Sequence, residues 1–165
     1  MKNLLKISFL WLLILSISVS LIGCGTKSYS ALNFKVYDEQ LSEVELEDYI
    51  GKPIVINFWA TWCGYCKLEM SDFNDAYKDH PNVQFMMVNN TDGVYETVKT
   101  AMDYVDACGY DFPIFFDTTL EAAEIYGITG FPTTLFIDKN GDLVKRKEGA
   151  MSRETLEEYL ALIDN

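Results

Sequence analysis

The chain has 165 residues, 49% of them hydrophobic and 14% aromatic, enough to bury one sizeable core and too few for two ordinary domains. Its formal charge of −12 repels polyanions, which excludes nucleic acid and anionic headgroups as direct partners of the folded surface. No internal repeat or low-complexity tract is present.

At the N-terminus, Lys2 and Lys6 precede an uncharged apolar stretch over residues 7–22, the layout of a secretory signal. The stretch ends in Leu21-Ile22-Gly23-Cys24, which resembles the lipobox of bacterial lipoproteins. That resemblance implies removal of residues 1–23 as a lipoprotein signal peptide and diacylation of Cys24. Two acyl chains suffice for stable anchoring, where one holds only marginally. The competing reading is an uncleaved membrane helix, for which about 16 apolar and small residues are marginal. Both readings place the domain on a cell membrane at its extracytoplasmic face. Cleavage removes two lysines and no acid, so the formal charge moves from −12 to −14. Residues 24–33 then form the lipidated N-terminus and a polar tether, and residues 34–165 the folded domain, held within about 30 Å of its anchor.

Within that domain, residues 34–37 (FKVY) predict a short strand, and residues 46–50 a helical turn ended by Gly51. Residues 53–59 (PIVINFW) are almost continuously apolar, as in a strand buried on both faces. A helix is predicted from Cys63 to about Asp79 through the spacing of Leu68, Phe73 and Tyr77, followed by a second buried strand over 83–88. A further helix is expected over 94–108, stopped by Gly109, and a shorter one over 120–126, stopped by Gly127. Residues 133–138 and 143–147 flank Lys139-Asn140-Gly141-Asp142, a hairpin signal, and Ser152 is placed to cap a final helix. The alternation predicts an α/β fold with helices on both faces of a central mixed sheet.

With Cys24 assigned to lipid, Cys63, Cys66 and Cys108 remain, an odd number that fits a reactive pair better than a structural framework. Cys63 falls where the buried strand ends and a helix begins, so unpaired N–H groups and the positive end of the helix dipole favour its thiolate. Cys66 lies one turn deeper on the same face and can close a disulfide with it. On this reading Cys63 attacks and Cys66 resolves. Glu69, three residues beyond Cys66, reads either as a proton acceptor for the pair or as an ordinary solvated glutamate. Trp62 is expected as a partly exposed wall beside Cys63, with Trp59 packed nearby. Cys108 is expected to be a small buried hydrophobe, the alternative being a third redox thiol.

The stretches GKPIVINFWATWCGYCKLEM and YGITGFPTTLFIDKNGDLV together resemble the thioredoxin superfamily, and more narrowly its membrane-tethered TlpA-like and ResA-like thiol-disulfide oxidoreductases. The resemblance implies a thioredoxin fold with an N-terminal extension and a helical insertion. It also implies Cys63 as nucleophile, Cys66 as resolving cysteine, and a cis Pro132 opposite them, with Phe131 beside the substrate. Glu69 matches the acid such relatives carry after the dithiol. Asn57 stands where cytoplasmic thioredoxins have a buried aspartate, and Ser71 where the family usually has a helix-bending proline. The Gly64-Tyr65 dipeptide is similar to that of some periplasmic disulfide isomerases, which leaves the direction of electron flow open.

The expected activity is reduction of disulfides in partner proteins such as apocytochrome c or a methionine sulfoxide reductase. The protein is expected to act as a monomer recharged by a membrane electron-transfer protein, without cofactor or metal. An oxidase or isomerase of secreted proteins is the alternative. A copper chaperone of this fold would need a wider cysteine spacing and a histidine, and one Cys-x-x-Cys with the lone His80 falls short of a four-ligand zinc site. A static disulfide closing so short a loop would stabilise little.

Overall fold

Eight strands form one mixed sheet in a computed structural model that describes residues 29–164. The signal segment, Cys24 and residues 25–28 lie outside the described residues. In chain order the elements are β1 (Tyr29–Ser30), β2 (Lys35–Tyr37), β3 (Glu43–Glu45), a 3-10 turn (Leu46–Tyr49), β4 (Ile54–Trp59), α1 (Gly64–Asp79), β5 (Gln84–Asn89), α2 (Val98–Cys108), β6 (Ile114–Phe116), α3 (Glu121–Ile125), β7 (Thr133–Ile137), β8 (Asp142–Glu148) and α4 (Arg153–Ile163). The sheet order is β1-β8-β7-β4-β5-β6-β2-β3. Strands β4, β5 and β6 run parallel, and the flanking strands pair antiparallel.

Successive side chains of β4 point to opposite faces, and both faces are covered. Val55 and Trp59 join the core under α1, α2 and α4, where Met70, Phe73, Val105, Leu156 and Leu160 are buried. Ile54, Ile56 and Phe58 join the second core under the 3-10 turn and α3. Burying an aromatic side chain such as Phe73 contributes roughly 1.5–3 kcal/mol, whereas an exposed ion pair such as Lys99–Asp103 contributes about 0.5 kcal/mol, so apolar burial fixes the helices. The thioredoxin fold expected from sequence, with helices on both faces, is the fold observed.

Four local expectations need correction. In α1 the buried stripe is Cys66, Glu69, Met70, Phe73, Asn74 and Ala76, while Leu68 is exposed. Leu68 precedes Phe73 by five residues, about 140° around a helix, so the two do not share a face. The helix α2 starts at Val98 and not at residue 94, because Thr97 caps it by accepting from the Thr100 N–H while Asp92 Oδ1 accepts the N–H groups of Val94, Tyr95 and Glu96. Cys108 is exposed, not buried: it is the last residue of α2, one turn past the buried Val105, beside the phenol groups of Tyr104 and Tyr110. Strand pairing also reaches back into the stretch expected as tether, since Tyr29 and Ser30 pair with Leu143 and Asp142 and the Ala31 N–H donates to the Gly141 carbonyl at 2.8 Å. Gly141, at φ 85°, takes the left-handed position of that hairpin turn. Helix α1 runs unbroken through Ser71. Among the described residues no helix is long and apolar enough to cross a membrane.

Candidate active site

Strand β4 ends at Trp59, and the chain turns through Ala60, Thr61 and Trp62, with the Cys63 N–H donating to the Ala60 carbonyl at 3.1 Å. Cys63 is the N-cap of α1, and its Sγ accepts the Cys66 N–H at 3.1 Å. Cys63 and Cys66 form a disulfide with Cα atoms 5.3 Å apart. Cys63 is 6% exposed and Cys66 0%, so an incoming sulfur meets Cys63 first. When the bond is reduced, a Cys63 thiolate sits on the positive end of a 16-residue helix with an N–H already aimed at it.

The turn carrying Cys63 is clamped from a direction that sequence reasoning missed. Glu96, fully buried in the loop before α2, accepts at Oε2 from the Thr61 N–H (3.0 Å) and hydroxyl (2.6 Å), and at Oε1 from the Asn89 amide (3.1 Å). Glu96→Ala strands the buried Asn89 amide and the part-buried Thr61 donors. It is expected to cost about 2–4 kcal/mol in urea unfolding of the oxidised protein. A loss below about 1 kcal/mol would show that the clamp does not hold the turn.

Glu69 lies on the α1 face that also bears Cys66 and is only 1% exposed. Its Oε1 accepts from Asn57 Nδ2 at 2.9 Å and its Oε2 from the Met151 N–H at 2.8 Å. Asn57 Nδ2 also donates to Thr134 Oγ1 at 3.0 Å, so strands β4 and β7 orient the amide toward the carboxylate. Burial pushes the Glu69 pKa up to about 7, against the opposing pull of the Met151 and Asn57 hydrogen bonds and of Lys147. A carboxylic acid titrating there can take or give a proton near neutral pH.

Because β7 runs antiparallel to β4 with Thr133 opposite Phe58, residues 131–132 come level with the turn that follows Trp59. The Phe131–Pro132 bond is cis. The Phe131 ring meets Trp62 edge-on at 5.6 Å between centroids and packs against the cluster holding both cysteines. Trp62 is 57% exposed and Trp59 is fully buried. Further exposed apolar side chains flank the dithiol: Tyr65 and Leu68 line a shallow cleft with Gly64, and Tyr95 lines another with Trp62 and Asp92. Of these exposed side chains only Trp62 was expected beside Cys63: Tyr65 and Leu68 lie off the buried stripe of α1, and Tyr95 lies in a loop that carries no period. His80 is distant from this site in the chain and caps the far end of α1, bonded to Glu157 at 2.9 Å. Among the described residues no group of three or more His, Cys, Asp or Glu side chains is arranged to hold a metal ion.

Residues 28–146 match the AhpC/TSA family. The thiol-disulfide oxidoreductase ResA of Halalkalibacterium halodurans is 34% identical over 135 residues, which cover 81% of this chain and 74% of that protein. Two solved structures are similar in shape. StoA from Bacillus subtilis superposes with a TM-score of 0.67 at 27% identity, covering 78% of this chain and 96% of that one. The pneumococcal exposed lipoprotein thioredoxin Etrx1 of Streptococcus pneumoniae gives a TM-score of 0.67 at 26% identity, covering 79% and 99%. With a Cys63–Cys66 pair on the N-terminus of α1 and this kinship across four fifths of its length, the chain belongs to the AhpC/TSA family of the thioredoxin superfamily and is a ResA-like thiol-disulfide oxidoreductase.

Proposed function

We propose that the protein is anchored through a lipidated Cys24 on the extracytoplasmic face of a membrane and there reduces disulfides in partner proteins. The observation that carries the reading is the unequal pair: Cys63 at the helix N-cap and reachable, Cys66 sealed behind it. In the reduced enzyme the Cys63 thiolate attacks one sulfur of a target disulfide. The target's S–S bond breaks as the mixed disulfide forms, and the departing target sulfur takes up a proton. Glu69 then accepts the Cys66 proton, and the Cys66 thiolate attacks Cys63 Sγ to release the second target thiol. Two electrons pass to the target, and the Cys63–Cys66 disulfide remains. A membrane electron-transfer protein returns the pair to the dithiol.

Trp62, Phe131 and Pro132 bind the segment around the target cysteine, with Tyr65 and Tyr95 extending the apolar contact on either side. Apocytochrome c or a methionine sulfoxide reductase fits as target. The signal layout ending at Cys24 supports the anchor, as does the likeness to a lipoprotein thioredoxin. Gly64-Tyr65 favours one alternative, an oxidase or isomerase of secreted proteins. Equilibration with glutathione or dithiothreitol decides the direction. A potential near the roughly −270 mV of thioredoxin is expected, and one near the roughly −120 mV of a strong oxidant would overturn the reductant reading.

A further inference from the structure

The buried carboxylate of Glu69 depends on a turn that is itself tied by one lysine. Lys147 Nζ donates to three successive carbonyls of the turn after β8: Glu148 at 2.6 Å, Gly149 at 3.1 Å and Ala150 at 3.3 Å. The next residue is Met151, whose N–H donates to Glu69 Oε2 at 2.8 Å. Within the same turn the Gly149 N–H donates to the Pro132 carbonyl at 2.8 Å. Gly149 adopts φ 75°, a left-handed conformation that bends the turn back on the lysine that closes it. Lys147 also stands directly opposite Thr134 in the β7–β8 ladder, and paired residues share a face of the sheet. Its stem therefore leaves the strand on the side where Thr134 and Asn57 hold Glu69.

We infer that Lys147 is a positioning residue for Glu69: by gathering the 148–150 carbonyls it holds the Met151 N–H on the carboxylate and the Gly149 N–H on Pro132, and sets its ammonium charge near both. Two charged side chains act on Glu69 with opposite sign: Asp72 on its own helix opposes its ionisation, and Lys147 on β8 favours it. Asn57 on β4 and the Met151 N–H before α4 are neutral donors. Cys66, one turn away on α1, does not titrate while it is disulfide-bonded. Lys147 thus counters, through both the turn and its charge, the burial that keeps Glu69 protonated.

The test uses the oxidised protein with ¹³C-labelled glutamate side chains, in which Glu69 is the resonance lost in Glu69→Gln. Its titration is expected to centre near pH 7. In Lys147→Met the midpoint is expected to rise by about half a unit or more, in Lys147→Gln, which keeps amide donors but no charge, to rise as well, and in Lys147→Arg to stay close to the parent. An unmoved midpoint in both Met and Gln variants overturns the inference, as does an equal rise in Lys147→Arg. The inference deepens the proposed exchange reaction but is read separately from it. If turnover against a protein disulfide shifts with pH in step with the carboxyl, and does not shift when Lys147→Met is made in Glu69→Gln, Lys147 acts through Glu69 in catalysis. A carboxyl shift without a turnover shift upholds the placement of Lys147 and overturns the exchange role of Glu69.

Discussion

Cys63→Ser is expected to abolish disulfide exchange, with turnover down at least about 10³-fold, whereas Cys66→Ser keeps the first attack and stalls after it. The asymmetry follows from where α1 begins. Cys63 caps the helix and receives the Cys66 N–H, while Cys66 points into the core with Met70 and Phe73. Of the pair, Cys63 is therefore the sulfur expected to bond the target, and Cys66 the one expected to displace it. With serine at 66 the mixed disulfide has no internal nucleophile and accumulates. Incubating each reduced variant with an oxidised protein substrate and separating the products without reductant measures this directly. A covalent adduct is expected with Cys66→Ser and none with Cys63→Ser. Adducts of equal yield from both, or faster alkylation at Cys66 than at Cys63 in the reduced parent, would remove the assigned order of attack. The exposed Cys108 adds an internal check, because an adduct that survives in Cys63→Ser and vanishes with Cys108→Ser would identify it as a competing thiol.

The parts of the fold that were readable in advance are those whose signal is local. Strands β4 and β5 are continuous apolar runs, and the β7–β8 hairpin is announced by Asn140-Gly141. Strand β6 was missed because three residues after Pro113 are too short to show a period; they become a strand only between β5 and the Tyr37–Phe116 pairing with β2. Strand β1 was hidden by its polar, tether-like composition, and only its partner β8 reveals it. The same division runs through the site. Cys63 and Cys66 are legible because a strand–helix junction and a spacing of three are sequence properties. Glu69 is legible as a carboxylate near the pair but not as a buried one, since its burial depends on Asn57, twelve residues before it, and Met151, eighty-two after it. Glu96 gave no signal at all: an acid in a polar loop reads as solvated, and its role exists only through Thr61, thirty-five residues upstream.

Glu69→Gln is expected to reverse the order of stability of the two oxidised proteins between pH 5 and pH 8. The folded-state pKa, raised by burial to about 7, lies above the ordinary value of 4.5 that an unfolded chain restores. Between these two values the native state holds a proton that the unfolded state has released, so raising the pH through that window removes stability. The gap between the two values amounts to about 3 kcal/mol of stability, fully present below pH 4.5 and lost as the pH rises through about 7. Glutamine carries no such titration. Its single carbonyl, however, can accept from Asn57 or from the Met151 N–H but not from both, and its amide then faces the other donor, a penalty of about 1–2 kcal/mol at every pH. The parent has already lost a little under 1 kcal/mol of this by pH 5, so the variant is expected to be less stable than the parent by up to about 1 kcal/mol at pH 5 and more stable by about 1–2 kcal/mol at pH 8, read from urea unfolding with the disulfide intact. Stability curves that stay parallel across this range would show that Glu69 does not titrate there. The same substitution removes the group proposed to accept the Cys66 proton, so turnover above pH 7 is expected to fall by about 10²-fold even where the fold gains stability.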